Sequence, residues 1–275
     1  FLAASDGKVT NSGTIASNSS KNNAGLIRIT ADEVLIKNNS KISATGINKG
    51  GKIEVGGSWQ NSNKNVFQAT KTSIEEDVIL DASAYDFGDG GEIVVWSDIN
   101  NNNSKTIVKG NLKADGGKLS GNGGRVETSG YSIDINKAKV STSSKNGKTG
   151  EWLIDPYNIT IASSGGSDYT ANEDDEVIDV SLLETSLNSS NITVFTGNSG
   201  SQDGNITVSS SISSGSSNNL TLRSANDITI NANVTRSGSG GLILEPGSNT
   251  VNGSGTISLT AGSNISTSSG ANVSN

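Results

Sequence analysis

Carboxylates are the first groups in this chain to test for chemistry. The sequence has 27 Asp and Glu, no His and no Cys. A Ser-His-Asp relay and thiolate chemistry are therefore both excluded. The densest acidic cluster is Glu173-Asp174-Asp175-Glu176. It lacks the Asp-x-Asp-x-Asp-Gly spacing of a Ca²⁺ loop, and the chain lacks the Gly-Gly-x-Gly-x-Asp repeat of Ca²⁺-binding β-rolls. The cluster reads as a solvated acidic loop. Asp86 and Asp89 flank a glycine-rich turn, and turn chemistry accounts for them. We expect no catalytic residue, no metal and no cofactor.

Aromatic rings beside polar donors are the other candidates, because such rings supply sugar-binding area at low entropic cost. Trp59 stands beside Gln60, Trp96 near Asp98, and Trp152 and Tyr157 flank an Asp-Pro turn. These six residues are the candidate ligand contacts. The competing reading is that the tryptophans cap the core or cover a corner. Two Asn-rich loops, 60–64 and 100–103, offer hydrogen bonds to hydroxyl groups, or are plain insertions.

These residues need a scaffold, and the scaffold is legible as a repeat. Gly50-Gly51-Lys52-Ile53, Gly90-Gly91-Glu92-Ile93 and Gly123-Gly124-Arg125-Val126 repeat at spacings of 40 and 33 residues. Each copy is a glycine pair, a charged residue and a β-branched residue leading a strand. Such units stack, since none buries its apolar side alone. Apolar doublets two apart run through the chain: Ile53/Val55, Val78/Leu80, Ile93/Val95, Ile206/Val208, Leu220/Leu222 and Ile228/Ile230. That is the period of strands with one face inward. Val94 and Trp96 fall on the opposite face of their strand. The segments 219–230 and 256–267 align at an offset of 37, which predicts two turns of about 19 residues each. Roughly a dozen coils are expected.

One segment breaks the period. Ser181 stands three residues before Glu184, a capping-box spacing, and Leu183 and Leu187 share a helical face. A short helix near 181–188 is predicted, covering an edge or corner of the stack. The expected organisation is a coil with loop insertions over 1–162 holding any ligand contact, an acidic loop and helix over 163–190, and regular coils over 191–275.

Composition narrows the partners. Net charge is −7 with a pI near 4.7, and no basic stripe with interleaved aromatics is visible. Nucleic acid is not an expected partner. No apolar run reaches the ~18 residues of a membrane helix, so no membrane insertion is expected. With no signal peptide visible, the chain reads as an internal piece of a longer one.

The run D81-A-S-A-x-x-x-G-D-G-G-E-I-V-V-W-S-D98, then G121-N-G-G-R-V-E-T-S-G130 and G150-E-W-L-I-D-P-Y-N-I-T-I161, resembles the large exoproteins of two-partner secretion systems. It is most similar to the high-molecular-weight adhesins of nontypeable Haemophilus, relatives of filamentous haemagglutinin. The specific motifs span about 50–161. The tail after Asn191 matches only as generic coil repeat, and the Asn-Pro pair of the family's secretion domain is absent. The resemblance implies an all-β, right-handed parallel β-helix. It also implies export through an outer-membrane secretion pore, display on the bacterial surface, and attachment to host epithelial cells through glycans or glycoproteins, including sialylated ones. A cytoplasmic N-glycosyltransferase is an implied partner. Its candidate acceptors are the Asn-x-Ser/Thr positions Asn18, Asn38, Asn102, Asn158, Asn188, Asn191, Asn205, Asn219, Asn233, Asn252, Asn264 and Asn272. The alternatives are a structural stalk and a polysaccharide-degrading β-helix.

Overall fold

A computed structural model describes residues 1–4, 6–163, 176–197, 203–248, 254–268 and 271–273. It divides into two compact units, residues 1–153 and 154–275, with the strand Glu151–Asp155 crossing the division. Each unit is a parallel β-helix.

In the first unit the chain visits three sheets in turn and then repeats. The first sheet stacks Leu2–Ala3, Leu26–Thr30, Lys52–Val55, Glu92–Trp96 and Arg125–Ser129. The second stacks Lys8–Asn11, Glu33–Ile36, Lys71–Ile74, Lys105–Val108 and Ser132–Asp134. The third stacks Thr14–Ala16, Lys41–Ser43, Ile79–Asp81, Asn111–Lys113 and Lys139–Ser141. Ile53 pairs with Ile93, and Ile93 with Val126, so like side chains stack along the coil. All twelve residues of the predicted doublets have zero exposure.

The repeated glycine pairs form one column at the corner that opens the first sheet. A Cβ on Gly91 would lie 1.9 Å from the Gly51 carbonyl oxygen, and one on Gly124 2.0 Å from that of Gly91. Only glycine lets these backbones approach so closely. The charged residue after each pair then alternates in sign. Glu92 lies between Lys52 and Arg125 and pairs with both.

In the second unit the first sheet stacks Asn191–Phe195, Leu220–Arg223, Leu242–Glu245 and Ala271–Val273. The second stacks Glu176–Asp179, Ile159–Ala162, Ile206–Val208, Ile228–Ile230 and Ile257–Leu259, and the third Ile212–Ser214, Val234–Arg236 and Ile265–Thr267. Leu220 pairs with Leu242, and Ile228 with Ile257, which sets turns of 22 and 29 residues. This corrects the 19-residue turn. The doublet pattern is the same on every sheet, so the self-alignment set the first-sheet residue Leu220 against the second-sheet residue Ile257.

The helix Val180–Ser186 forms where predicted, with a different cap. Asp179 is the N-cap, and its carboxylate accepts from the Ser181 N–H at 2.7 Å. Glu184 turns outward instead and accepts from the Ser213 N–H at 2.6 Å, on the edge strand of the third sheet. The helix thus covers that edge, with Leu183 and Leu187 fully buried beneath it. Among the described residues no helix is long and apolar enough to cross a membrane.

Candidate functional site

The outer face of the first sheet in the first unit carries an insertion of its own. The strand Lys52–Val55 ends at Gly56, whose φ of +82° turns the chain off the sheet. The insertion closes where the Ala69 N–H meets the Gly56 carbonyl oxygen at 2.7 Å. Between them Trp59–Asn61 form one 3₁₀ turn, with Gln60 and Asn61 at positive φ. Three contacts tie this loop down. Trp96 Nε1 donates to Gln68 Oε1 at 3.1 Å. The Gln60 N–H donates to Glu127 Oε2 at 2.8 Å. The Arg125 guanidinium lies 4.0 Å from the centroid of the Trp59 ring, and Glu92 holds Arg125 in turn. Trp59 is partly exposed beside this cation, and Gln60, Asn63, Lys64, Asn65 and Phe67 face solvent.

The same insertion overturns the expectation for Trp96. It is an outer-face residue, as its alternation says, yet it has zero exposure because the loop covers it. Val94 is buried with it. Trp152 points into the coil, where Nε1 donates to Thr128 Oγ1 at 3.1 Å, and is also fully buried. Tyr157 is 4% exposed. None of these three rings presents a face to a ligand, because each fills interior volume or lies under a loop. Asp98 is a turn residue. Its carboxylate accepts from the Asn100 N–H at 3.0 Å and its carbonyl from Ser104 Oγ. The 100–103 loop is folded by such local bonds, with Asn101 Oδ1 accepting from the Asn103 N–H. Of the six predicted contacts, Trp59 and Gln60 remain together on an accessible surface.

A second accessible surface went unrecognised in the sequence. At the corner between the third and first sheets, five loops of the first unit lie one above another. The Phe87 N–H meets the Ile47 carbonyl oxygen at 2.9 Å, and the Leu119 N–H that of Asp86 at 2.7 Å. Asn146 Nδ2 meets the Lys118 carbonyl oxygen at 2.8 Å. Tyr85, Phe87 and Leu119 are 51%, 48% and 60% exposed. Lys21, Lys49, Lys118, Lys145 and Lys148 stand on the same loops, all exposed, and none enters an ion pair among the described residues. The available signal was two aromatics in a turn, before Gly88 and outside any strand, where no core claims them.

Among the described residues no group of three or more acids, His or Cys could hold a metal. A groove of about 380 Å³ on the second sheet, floored by Leu35, Ser73 and Ile107, has Glu75 and Glu76 on its rim. Glu75 accepts from the Asn38 N–H. Lys137 bonds Glu76 and holds its carboxyl below the usual range, the opposite of what a general acid needs. Among the described residues burial raises the Asp155 carboxyl, in the second unit, to about 7, partly offset by the Gly197 N–H. The acidic residues 173–175 lie outside the described residues.

The candidate acceptor asparagines divide by the work of their side chains. Asn158 accepts from the Gly204 and Asn205 N–H groups, Asn205 from Asn226 and Asp227, Asn191 from Asn219, Asn219 from Gly241, and Asn233 from Asn264. Asn18 accepts from Thr45. These amides stitch neighbouring coils at the corners. Asn38, Asn102, Asn188 and Asn264 are exposed. Asn252 and the Asn272 side chain lie outside the described residues.

Comparison with models of known protein families and with curated proteins finds no match.

Proposed function

We propose that this chain is part of a secreted bacterial surface adhesin that attaches to host epithelial cells through cell-surface glycans. The observation that carries this reading is the column of loops bearing Tyr85, Phe87 and Leu119 beside five exposed lysines. Exposed rings fit the apolar faces of sugars, and ammonium groups fit their carboxylates, so sialylated glycans suit the surface best. Trp59, braced by Arg125, is a second ring of the same kind. Stacked coils hold these loops rigidly, as binding loops require. Each contact is weak alone, and many copies on one cell act through avidity. An outer-membrane pore would export the chain, and a cytoplasmic N-glycosyltransferase would modify exposed asparagines such as Asn38 and Asn102.

The stalk reading has one observation in its favour: the corners of the second unit are regular and held by short amides, with few large exposed side chains. A glycan array with the unmodified chain separates the two. Retention on acidic glycans, weakened by Phe87→Ala, supports adhesion. Binding to no glycan and no cell leaves the stalk. Release of reducing sugar from any bound glycan would instead establish an enzyme.

A further inference from the structure

The interior of the second unit contains a cation. Arg236 ends the strand Val234–Arg236 and points inward, in register with Ser214 on one side and Thr267 on the other. Its side chain has zero exposure. Nη2 donates to the Asn218 carbonyl oxygen. Nε and Nη1 are buried and have no hydrogen-bond partner among the described residues. The surroundings are built to admit the guanidinium. A Cβ on Gly240 would lie 2.7 Å from Nη2 and 2.1 Å from the Asn218 carbonyl oxygen. Asn218 is itself fixed, its Nδ2 on the Leu187 carbonyl oxygen at 2.8 Å and its N–H on Ser216 Oγ at 3.1 Å.

A guanidinium keeps its proton in proteins. Burial alone pushes the Arg236 pKa down, with no contribution from a carboxylate. Four acids of the second unit are engaged elsewhere. Glu184 holds the Ser213 N–H, Glu245 pairs with Arg223, Asp227 holds Thr256, and Asp179 caps the helix. A buried charge with unmet donors is among the costliest arrangements in a folded chain. Water meets the donors and leaves the charge. An anion meets both.

We propose that Arg236 holds a small monovalent anion, of the size and charge of chloride, inside the coil, and that this ion is part of the folded structure. Hydroxyl groups of Ser214 and Thr267 stand at the register positions on either side to complete its shell.

Thermal unfolding of the intact chain in chloride and in gluconate at equal ionic strength reads the effect. Chloride should raise the melting temperature by several degrees, since it binds the folded chain alone. The Arg236→Met variant should lose that difference. Crystals grown with bromide should show an anomalous peak within hydrogen-bonding reach of Nε or Nη1. A site filled by water in bromide crystals overturns the proposal, as does an equal anion response in Arg236→Met. Should Arg236→Met fail to fold, the bromide crystals decide on the unmodified chain.

Discussion

The two units have the same kind of interior and differ at their corners. In both, inward doublets of Ile, Val and Leu stack in register, and both would look alike in a section through the core. The first unit closes the corner before its first sheet with glycine pairs packed backbone to backbone and flanked by alternating charges. The second closes its corners with Asn and Asp side chains that reach the next coil. The glycine column leaves no tolerance for side chains at that point, and the first unit's variety lies in its loops. There the insertion over Trp96 and the column of Tyr85, Phe87 and Leu119 are found. The same repeating core thus supports two different exteriors, and the exterior is where function is to be sought.

The largest expected effect tests the glycine column. Gly124→Val places side-chain atoms on the Gly91 carbonyl oxygen, already 2.0 Å from an added Cβ. It should cost more than about 4 kcal/mol and abolish cooperative unfolding of the first unit. Gly241→Ala in the second unit meets nothing nearer than 3.4 Å and should change stability by less than about 1 kcal/mol. Urea unfolding followed by circular dichroism compares them. Equal effects would erase the distinction between the corners.

Trp96→Ala comes next, at about 3–5 kcal/mol, because it empties the space beneath the insertion. Amide exchange should quicken across 57–69, which Trp96 anchors through Gln68. Unchanged exchange there would show that the loop stands without it.

The second unit should respond to pH through Asp155. Its carboxyl titrates near 7 when folded, against an ordinary value of 3.8. The folded chain therefore holds the proton more tightly than the unfolded chain. The stabilisation is fully present below about pH 4 and is lost as pH rises to 7, on the order of 4 kcal/mol at most. Asp155→Asn keeps an acceptor for the Gly197 N–H and should flatten the pH profile of unfolding. A slope that survives the substitution assigns the titration to another group.

Asn205→Ala is a smaller cut. It removes the acceptor for the Asn226 amide and the Asp227 N–H and should cost about 1–3 kcal/mol. A neutral result would mean that the corner amides are not what closes the second unit.

Much of this fold was legible because alternation and repetition are local. Ile53/Val55 and Ile228/Ile230 declare their inward faces within three residues, and the glycine pairs declare their stacking by recurring. Turn length was not legible, since Leu220/Leu222 and Ile257/Leu259 look alike while lying on different sheets. The fate of Trp96 was hidden for a related reason. Its outward position follows from the strand period, whereas its cover depends on how a loop dozens of residues earlier lies across three strands. The Ser181 and Glu184 spacing hides Asp179 as the cap, and the fold uses Glu184 to hold a neighbouring strand. Tyr85 and Phe87 were readable as turn aromatics, but only the stacking of Ile47, Asp86 and Lys118 shows that they belong to one surface.

If the first unit's loop column carries the ligand contact, binding depends on its two exposed rings. Tyr85→Ser combined with Phe87→Ser alters two exposed side chains outside the core, so the chain should fold as before by circular dichroism. Its apparent affinity for host epithelial cells, or for an acidic glycan retained by the unmodified chain, should fall at least about tenfold, the loss of two ring contacts. Binding that is unchanged in the double variant would contradict the account.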